Sequence, residues 1–327
     1  MAFAISALRY YGLRKTLAVL VGTKTTSHFW AVAQAALASE EPLFKRIAPM
    51  SGTFLAVRPT SLTAQEGIYW QTAKHLGLDR LSAADRLDAL DKIPGLDLVA
   101  KMPPFIPFAL VIDGDFCHDR PTFASLAEGL SSRSGQTWCK DICIGDCGFD
   151  VGNDPSTILR AYGIQADPNL TAKEEVANDN FIKILTFCQD IVFRAPSITI
   201  ARQWSTGSAY VYHFNESNPW DGPWKGYASH TLDIAFLSQN FNGHLGLPLQ
   251  ELTKMLGADI LRFVHGQASW QDFKAYEKKW TMRVYGPDAK IDLRSEGEIR
   301  DAAIWELIDV FGADDLLDAT ENFLKGE

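Results

Sequence analysis

Three stretches of this chain carry residues that could move a proton or attack a carbonyl, and their order has chemical meaning. In the first, Thr16-Leu17-Ala18-Val19-Leu20-Val21 closes on Gly22 and continues Thr23-Lys24-Thr25-Thr26-Ser27. A serine nucleophile on a strand-to-helix elbow sits in Gly-x-Ser-x-Gly, whose glycines relieve a strained turn and let strand and helix approach closely. Here the nucleophile's place holds Lys24. A protonated amine with a pKa near ~10.4 is a poor acyl acceptor, and an amide formed there would not turn over. Ser27, the nearest serine, lies at the helix start, beyond the elbow apex.

The second stretch, Ile144-Gly145-Asp146-Cys147-Gly148-Phe149-Asp150-Val151-Gly152, carries two carboxylates after a strand. Either one could orient a histidine as the acid of a Ser-His-Asp triad, or serve turn geometry as aspartates often do. The third is Gly226-Tyr227-Ala228-Ser229-His230-Thr231-Leu232-Asp233. A neutral imidazole at His230 could act as general base, or be a structural histidine. Nucleophile position, acid and histidine then follow one another in the chain order of an acyl-transfer triad.

These loops need a scaffold that brings them to one place. Periodicity and end signals predict helices over residues 3–11, 27–38, 63–76, 83–90, 180–193, 232–241, 252–263 and 301–311. Strands are expected over 16–21, 45–50, 109–112, 141–144 and 209–214. Ser27 and Ser82 read as N-caps, Gly145-Asp146 as a turn, and Pro196 as the stop of the 180–193 helix. Strands alternating with helices make an α/β class with a mainly parallel sheet and right-handed crossovers, and loops beyond the carboxyl ends of its strands carry function. No composition shift divides the chain, so residues 1–327 are expected to form one domain.

Composition narrows the partners. The 327 residues are 46% hydrophobic and 22% charged, with a net charge of −9. That balance excludes a nucleic-acid-binding face and an electrostatic anchor on anionic lipid. No run reaches the ~18 apolar residues of a membrane span. Arg9, Arg14, Lys15 and Lys24 precede the first acidic residue, Glu40. That bias fits either a targeting presequence or a basic structured start; without a clear signal peptide, a cytoplasmic chain is expected, with secretion left open for a full-length form. The five cysteines are Cys117, Cys139, Cys143, Cys147 and Cys188. The 139/143/147 spacing would align three thiols on a helix, but the local sequence reads as a strand, where they would share a face without a fourth ligand. Buried free thiols are expected, with no metal and no cofactor.

Several blocks, in order, resemble the type-B carboxylesterase family, which includes cholinesterases and fungal lipases. They are Glu41-Pro42-Leu43-Phe44-Lys45-Arg46-Ile47 with Met50-Ser51-Gly52-Thr53, then Pro107-Phe108-Ala109-Leu110-Val111-Ile112-Asp113-Gly114-Asp115-Phe116 with Pro121. The Gly145 to Gly152 stretch, Asp190-Ile191-Val192-Phe193-Arg194-Ala195-Pro196, the Trp204 to Phe214 segment, the His230 loop and Ile260-Leu261-Arg262-Phe263-Val264-His265-Gly266 follow. The resemblance implies an α/β-hydrolase fold and hydrolysis of small carboxylic esters by a Ser-His-Asp/Glu mechanism. His230 takes the general base's place and Asp150 the acid's. Val151 stands where the family has glycine, which leaves Asp146 as the reserve acid.

Two departures qualify the implication. The family's Gly-Glu-Ser-Ala-Gly falls on Gly22-Thr23-Lys24-Thr25-Thr26, where only the glycine agrees. The family's first strands and its glycine-rich oxyanion loop correspond to nothing here, and each missing oxyanion donor costs roughly 10²–10³ in rate. The expectation is a partial α/β-hydrolase domain lacking its N-terminal strands, of esterase descent and inactive as written. Its exposed sheet edge could support a homo-oligomer. The alternatives are a non-catalytic binding protein using Trp220-Asp221-Gly222-Pro223-Trp224 as a contact surface, and a different site built on Lys24 or the cysteines.

Overall fold

The computed structural model describes residues 19–22, 45–53, 55–101, 109–114, 117, 119–126, 139–149, 179–222, 224–274, 280–299 and 303–325. The expected helices over 3–11 and 27–38, and with them Lys24, Ser27 and Asp150, lie outside these residues. The chain divides into two compact units, Val57–Pro121 and the remainder.

The larger unit is built on a six-stranded sheet in the order β1-β2-β5-β6-β7-β8. Its strands are β1 (Val19–Gly22), β2 (Arg46–Pro49), β5 (Asp141–Cys147), β6 (Ala209–Phe214), β7 (Thr281–Tyr285) and β8 (Ile291–Ser295). All neighbours are parallel except β7 and β8. Side chains alternate between two cores, as the two-residue period of a strand requires. Ile47, Ile142, Ile144, Ala209 and Val211 face one layer. Ala48, Cys143, Cys147, Tyr210, Tyr212 and Phe214 face the other.

The first layer is covered by α4 (Asp179–Gln189), a π-helical turn (Asp190–Arg194) and α5 (Ala195–Gln203). The expected stop at Pro196 is overturned. The helix passes through the wide turn, and Pro196 falls in the first turn of α5, directly after it. Among the described residues, Ile182–Gln203 is long and apolar enough to cross a membrane by length and composition, and most of it is buried within the fold. Two further helices, α9 (Ala303–Phe311) and α10 (Ala313–Lys325), add Ile304 and Leu317 to this layer. Between β8 and α9 lies the short α8 (Glu296–Ile299). The second layer is covered by α6 (Leu232–Ser238) and α7 (Leu247–Val264), the latter through Leu252, Leu256, Ile260 and Phe263.

β5 also corrects the sequence reading. It does not turn at Gly145-Asp146 but pairs with β6 from Ile142↔Ala209 to Cys147↔Phe214. Gly145 is needed for a close approach, not a turn: a Cβ there would stand 2.4 Å from Tyr212 Cδ1. The thiols are all free and buried. Cys143 and Cys147 share a face, but Cys139, ahead of the strand, joins the opposite layer.

The smaller unit holds β3 (Thr60–Ser61) and β4 (Val111–Ile112) in parallel, with α1 (Leu62–His75), α2 (Ala83–Asp91) and α3 (Gly95–Lys101). Ser61 and Ser82 cap α1 and α2 through their hydroxyls, at 3.2 Å from Ala64 N and Asp85 N. Arg86 is buried by stacking 4.5 Å over Trp70 while donating to Tyr69 Oη.

Candidate active site

The loops singled out by sequence leave the carboxyl ends of β5 and β6. Beyond β5, Gly148 N donates to Phe214 O at 2.7 Å and Phe149 N to Ala228 O at 2.9 Å. Phe149 and Ser229 then form an isolated parallel bridge. The next residue after Phe149 is Asp150, and the next after Ser229 is His230. The register therefore brings the chain positions leading into the acid and into the histidine side by side. Asp150 itself lies outside the described residues. Phe149 packs in a cluster with the rings of Trp224 and Tyr227, with centroids 5.3 and 5.4 Å away. His230 is half-buried, and Thr231, at φ 64°, donates its hydroxyl to His230 O at 2.6 Å.

A polar cluster lies beneath the histidine loop on the α6 and α7 face. Ser51, directly after Met50 at the end of β2, holds φ 55°, a conformation that a residue with a Cβ rarely adopts. Three contacts fix it. Its N–H donates to Gly145 O at 3.0 Å, and its Oγ lies 3.3 Å from Asp233 Oδ2 and 3.6 Å from Cys147 Sγ. One hydroxyl hydrogen serves one acceptor at a time, and the carboxylate is the stronger. Asp233, fully buried, also accepts from Tyr212 Oη at 2.8 Å and from Ile234 N at 2.8 Å. Burial, and then the Asp233 charge beside it, push the Tyr212 phenol well above its usual range. Ser51 is itself only 1% exposed, so its hydroxyl is held for Asp233 rather than offered to solvent.

Asp146 points to the other face. It accepts from His213 Nδ1 at 3.0 Å and from Gln189 Nε2 at 2.9 Å, and both carboxylate and imidazole are 1% exposed. Because a carboxylate only accepts, His213 carries its proton on Nδ1. The same Gln189 Nε2 lies 2.8 Å from Cys147 O. The reserve acid is thus engaged with His213 and Gln189. Neither of those was singled out from the sequence, although a histidine within the otherwise aromatic and aliphatic Ala-Tyr-Val-Tyr-His-Phe strand marks a polar group that must find a partner.

The other thiols and the tryptophan loop serve packing. Burial pushes the Cys139 and Cys188 thiols up to about 12, far from the thiolate a nucleophile or metal ligand needs. Among the described residues no group of three or more His, Cys, Asp and Glu is arranged to hold a metal ion. Trp224 is nearly buried against Phe149, and Trp220 packs edge-on against Phe236 and Phe241. The Trp224 ring is thus spent within the fold, while Trp220 stays partly exposed.

No protein-family model matches the chain, and no curated protein sequence does. Solved structures do. A PNB esterase superposes with a TM-score of 0.61 at 16% identity, over 92% of this chain and 67% of its own. Juvenile hormone esterase from Manduca sexta, with OTFP covalently attached, gives 0.60 at 14% identity, over 98% and 69%. An esterase from the anaerobe Clostridium hathewayi that can hydrolyze aliphatic aromatic polyesters gives 0.55 at 15%, over 94% and 66%. This chain spans about two thirds of the length of each of these structures. The likeness carries the fold, an α/β-hydrolase fold with its mostly parallel sheet flanked by helices.

Proposed function

We propose that the chain descends from carboxylic ester hydrolases of the type-B carboxylesterase family, retaining the general base His230 and its orienting acid Asp150, with Lys24 in the nucleophile's place. The observation that carries this is the Phe149–Ser229 bridge, one residue before each partner of the pair. In a working enzyme His230 would take the nucleophile's proton, and Asp150 would hold the imidazole and stabilise its charged form. With Lys24 as the acceptor, acyl transfer ends in a stable amide, so this chain does not turn over small esters. The block resemblance and the esterase names of similar structures support the same class. A binding protein of the same fold has less to rest on, since of the two loop tryptophans Trp224 is buried against Phe149 and Trp220 is half-buried against Phe236.

The test is covalent labelling with a fluorophosphonate beside turnover of an activated ester. The natural chain is expected to show neither. Lys24→Ser is expected to gain slow labelling at residue 24 that His230→Ala abolishes. Labelling of the natural chain at any serine, Ser27 included, replaces this reading with that of an active hydrolase. A folded Lys24→Ser protein that stays unlabelled removes His230 from its role.

A further inference from the structure

The Asp146–His213–Gln189 group is a buried polar cluster next to the candidate site that the proposed chemistry does not use. Its position is informative. Asp146 and His213 are register partners at the ends of β5 and β6. Gln189 is the last residue of α4, and the π-helical turn begins immediately after it. Such wide turns displace a helix locally and recur at functional positions. The single Gln189 amide reaches two acceptors on successive β5 residues, Asp146 Oδ2 and Cys147 O. The chain beyond Cys147 then runs through the Gly148 N–Phe214 O and Phe149 N–Ala228 O bonds into the bridge with Ser229. Gly148 is closely approached: a Cβ would meet the Asn215 side chain, Oδ1 at 2.5 Å, and Ala228 Cβ at 3.3 Å. A helix that only covered the sheet would need apolar contact alone at this point. Burying an amide donor, a carboxylate and an imidazole is costly unless all are paired, and the pairing falls where β5 hands over to the acid loop.

We propose that Gln189, together with the Asp146–His213 pair it braces, is the positioning group that sets the Cys147–Gly148–Phe149 backbone leading to Asp150, the residue read as the acid of His230. This rests on the reading of His230 as the base and Asp150 as its orienting acid. Gln189 touches no substrate; it acts through the Cys147 carbonyl and the Asp146 carboxylate.

The experiment is the titration of His230 in the full chain, followed by NMR of histidine ring carbons and assigned with His230→Asn and His213→Asn. The carboxylates carried by the neighbouring segments are Asp146, Asp150 and Asp233. On that reading an ionised Asp150 partner would raise the His230 midpoint, and Asp150→Asn is expected to lower it by about one pH unit. Gln189→Met, close in size but without the donor, is expected to give at least half of that fall while the protein still unfolds cooperatively. Tyr212→Phe, which deletes a buried hydrogen bond on the opposite face, is expected to leave the midpoint unmoved. Should Gln189→Met fail to fold, Gln189→Glu takes its place, since a neutral carboxylic acid can donate to only one of the two oxygens. If Asp150→Asn lowers the midpoint and the Gln189 variant does not, the positioning role is overturned and the acid–base reading stands. If Asp150→Asn has no effect, the acid–base reading fails, and the positioning role with it.

Discussion

Two carboxylates are buried at the carboxyl ends of β5 and β6, on opposite faces of one sheet, and they are satisfied in different ways. Asp233 is served by neutral donors: the hydroxyls of Ser51 and Tyr212 and the N–H of Ile234. It also lies in the first turn of α6, where the helix dipole favours a negative charge. Asp146 is served by an imidazole and a side-chain amide. The first arrangement ties α6 to β6 and to the strained residue after β2. The second ties α4 to the strand that leads into the acid loop. The contrast separates a carboxylate that locks elements together from one whose partner also holds the backbone of a candidate catalytic loop.

The harshest way to break the comparison is to remove what both sides share. Gly145 lies between them, with Tyr212 Cδ1 and Tyr212 O each 2.4 Å from where its Cβ would be. Gly145→Ala forces β5 and β6 apart and disturbs Tyr212 and Asp146 together. Overpacking a close-packed site costs about 1–3 kcal/mol, and more where backbone must yield, so a loss of at least ~3 kcal/mol or failure to express soluble protein is expected. A thermal midpoint within a few degrees of the natural chain would mean that the strands can separate cheaply here.

A smaller and more discriminating effect comes from deleting each acid in turn. Asp233→Ala leaves the Tyr212 hydroxyl buried without its acceptor, and Ser51 loses one of the contacts that hold its left-handed backbone. A cost of ~2–4 kcal/mol in urea unfolding is expected. Asp146→Ala should cost less, ~1–3 kcal/mol, because His213 can change tautomer and Gln189 keeps Cys147 O. The reverse order would make Asp146 the structural acid and would weaken its assignment to the loop.

Much of this frame was legible beforehand. The β6 strand, the Ser82 cap and the order of the loops follow from period and capping chemistry, which are local; the Ser61 cap was not singled out. The length of β5 was not legible, because Gly145-Asp146 is good turn chemistry until Tyr212 from a distant strand claims the space above it. The passage of the helix through Pro196 depends on a wide turn that residue types do not announce. Likewise β7 and β8, with charged residues at Arg283, Asp292 and Arg294, pair as an antiparallel edge that apolar periodicity does not mark. In the candidate site, His230 was singled out because it sits on a loop between a strand and a helix. Ser51, His213 and Gln189 were not, since each takes its meaning from a partner far away in sequence: Asp233, Asp146, and Asp146 with Cys147.

The mildest test concerns alkaline pH and treats the two faces alike. Buried thiols line both, and burial raises Cys139 and Cys188 from their ordinary 9.0 to about 12. Desolvation also raises Cys143, and it raises the Tyr212 and Tyr285 phenols well above their ordinary 10.0. For a group whose folded-state pKa is raised, the stabilisation is whole below the unfolded pKa and is lost as pH climbs toward the folded one. Stability should therefore hold below pH 9 and fall steadily from there to about pH 12 as the unfolded chain sheds protons that the folded chain keeps. One thiol contributes ~1 kcal/mol to that fall by pH 10. Cys188→Ala should consequently be less sensitive to alkali than the natural chain by about that amount, whatever it costs at neutral pH. Parallel urea midpoints for the two proteins between pH 8 and 10 would mean that water reaches the Cys188 thiol in the folded state.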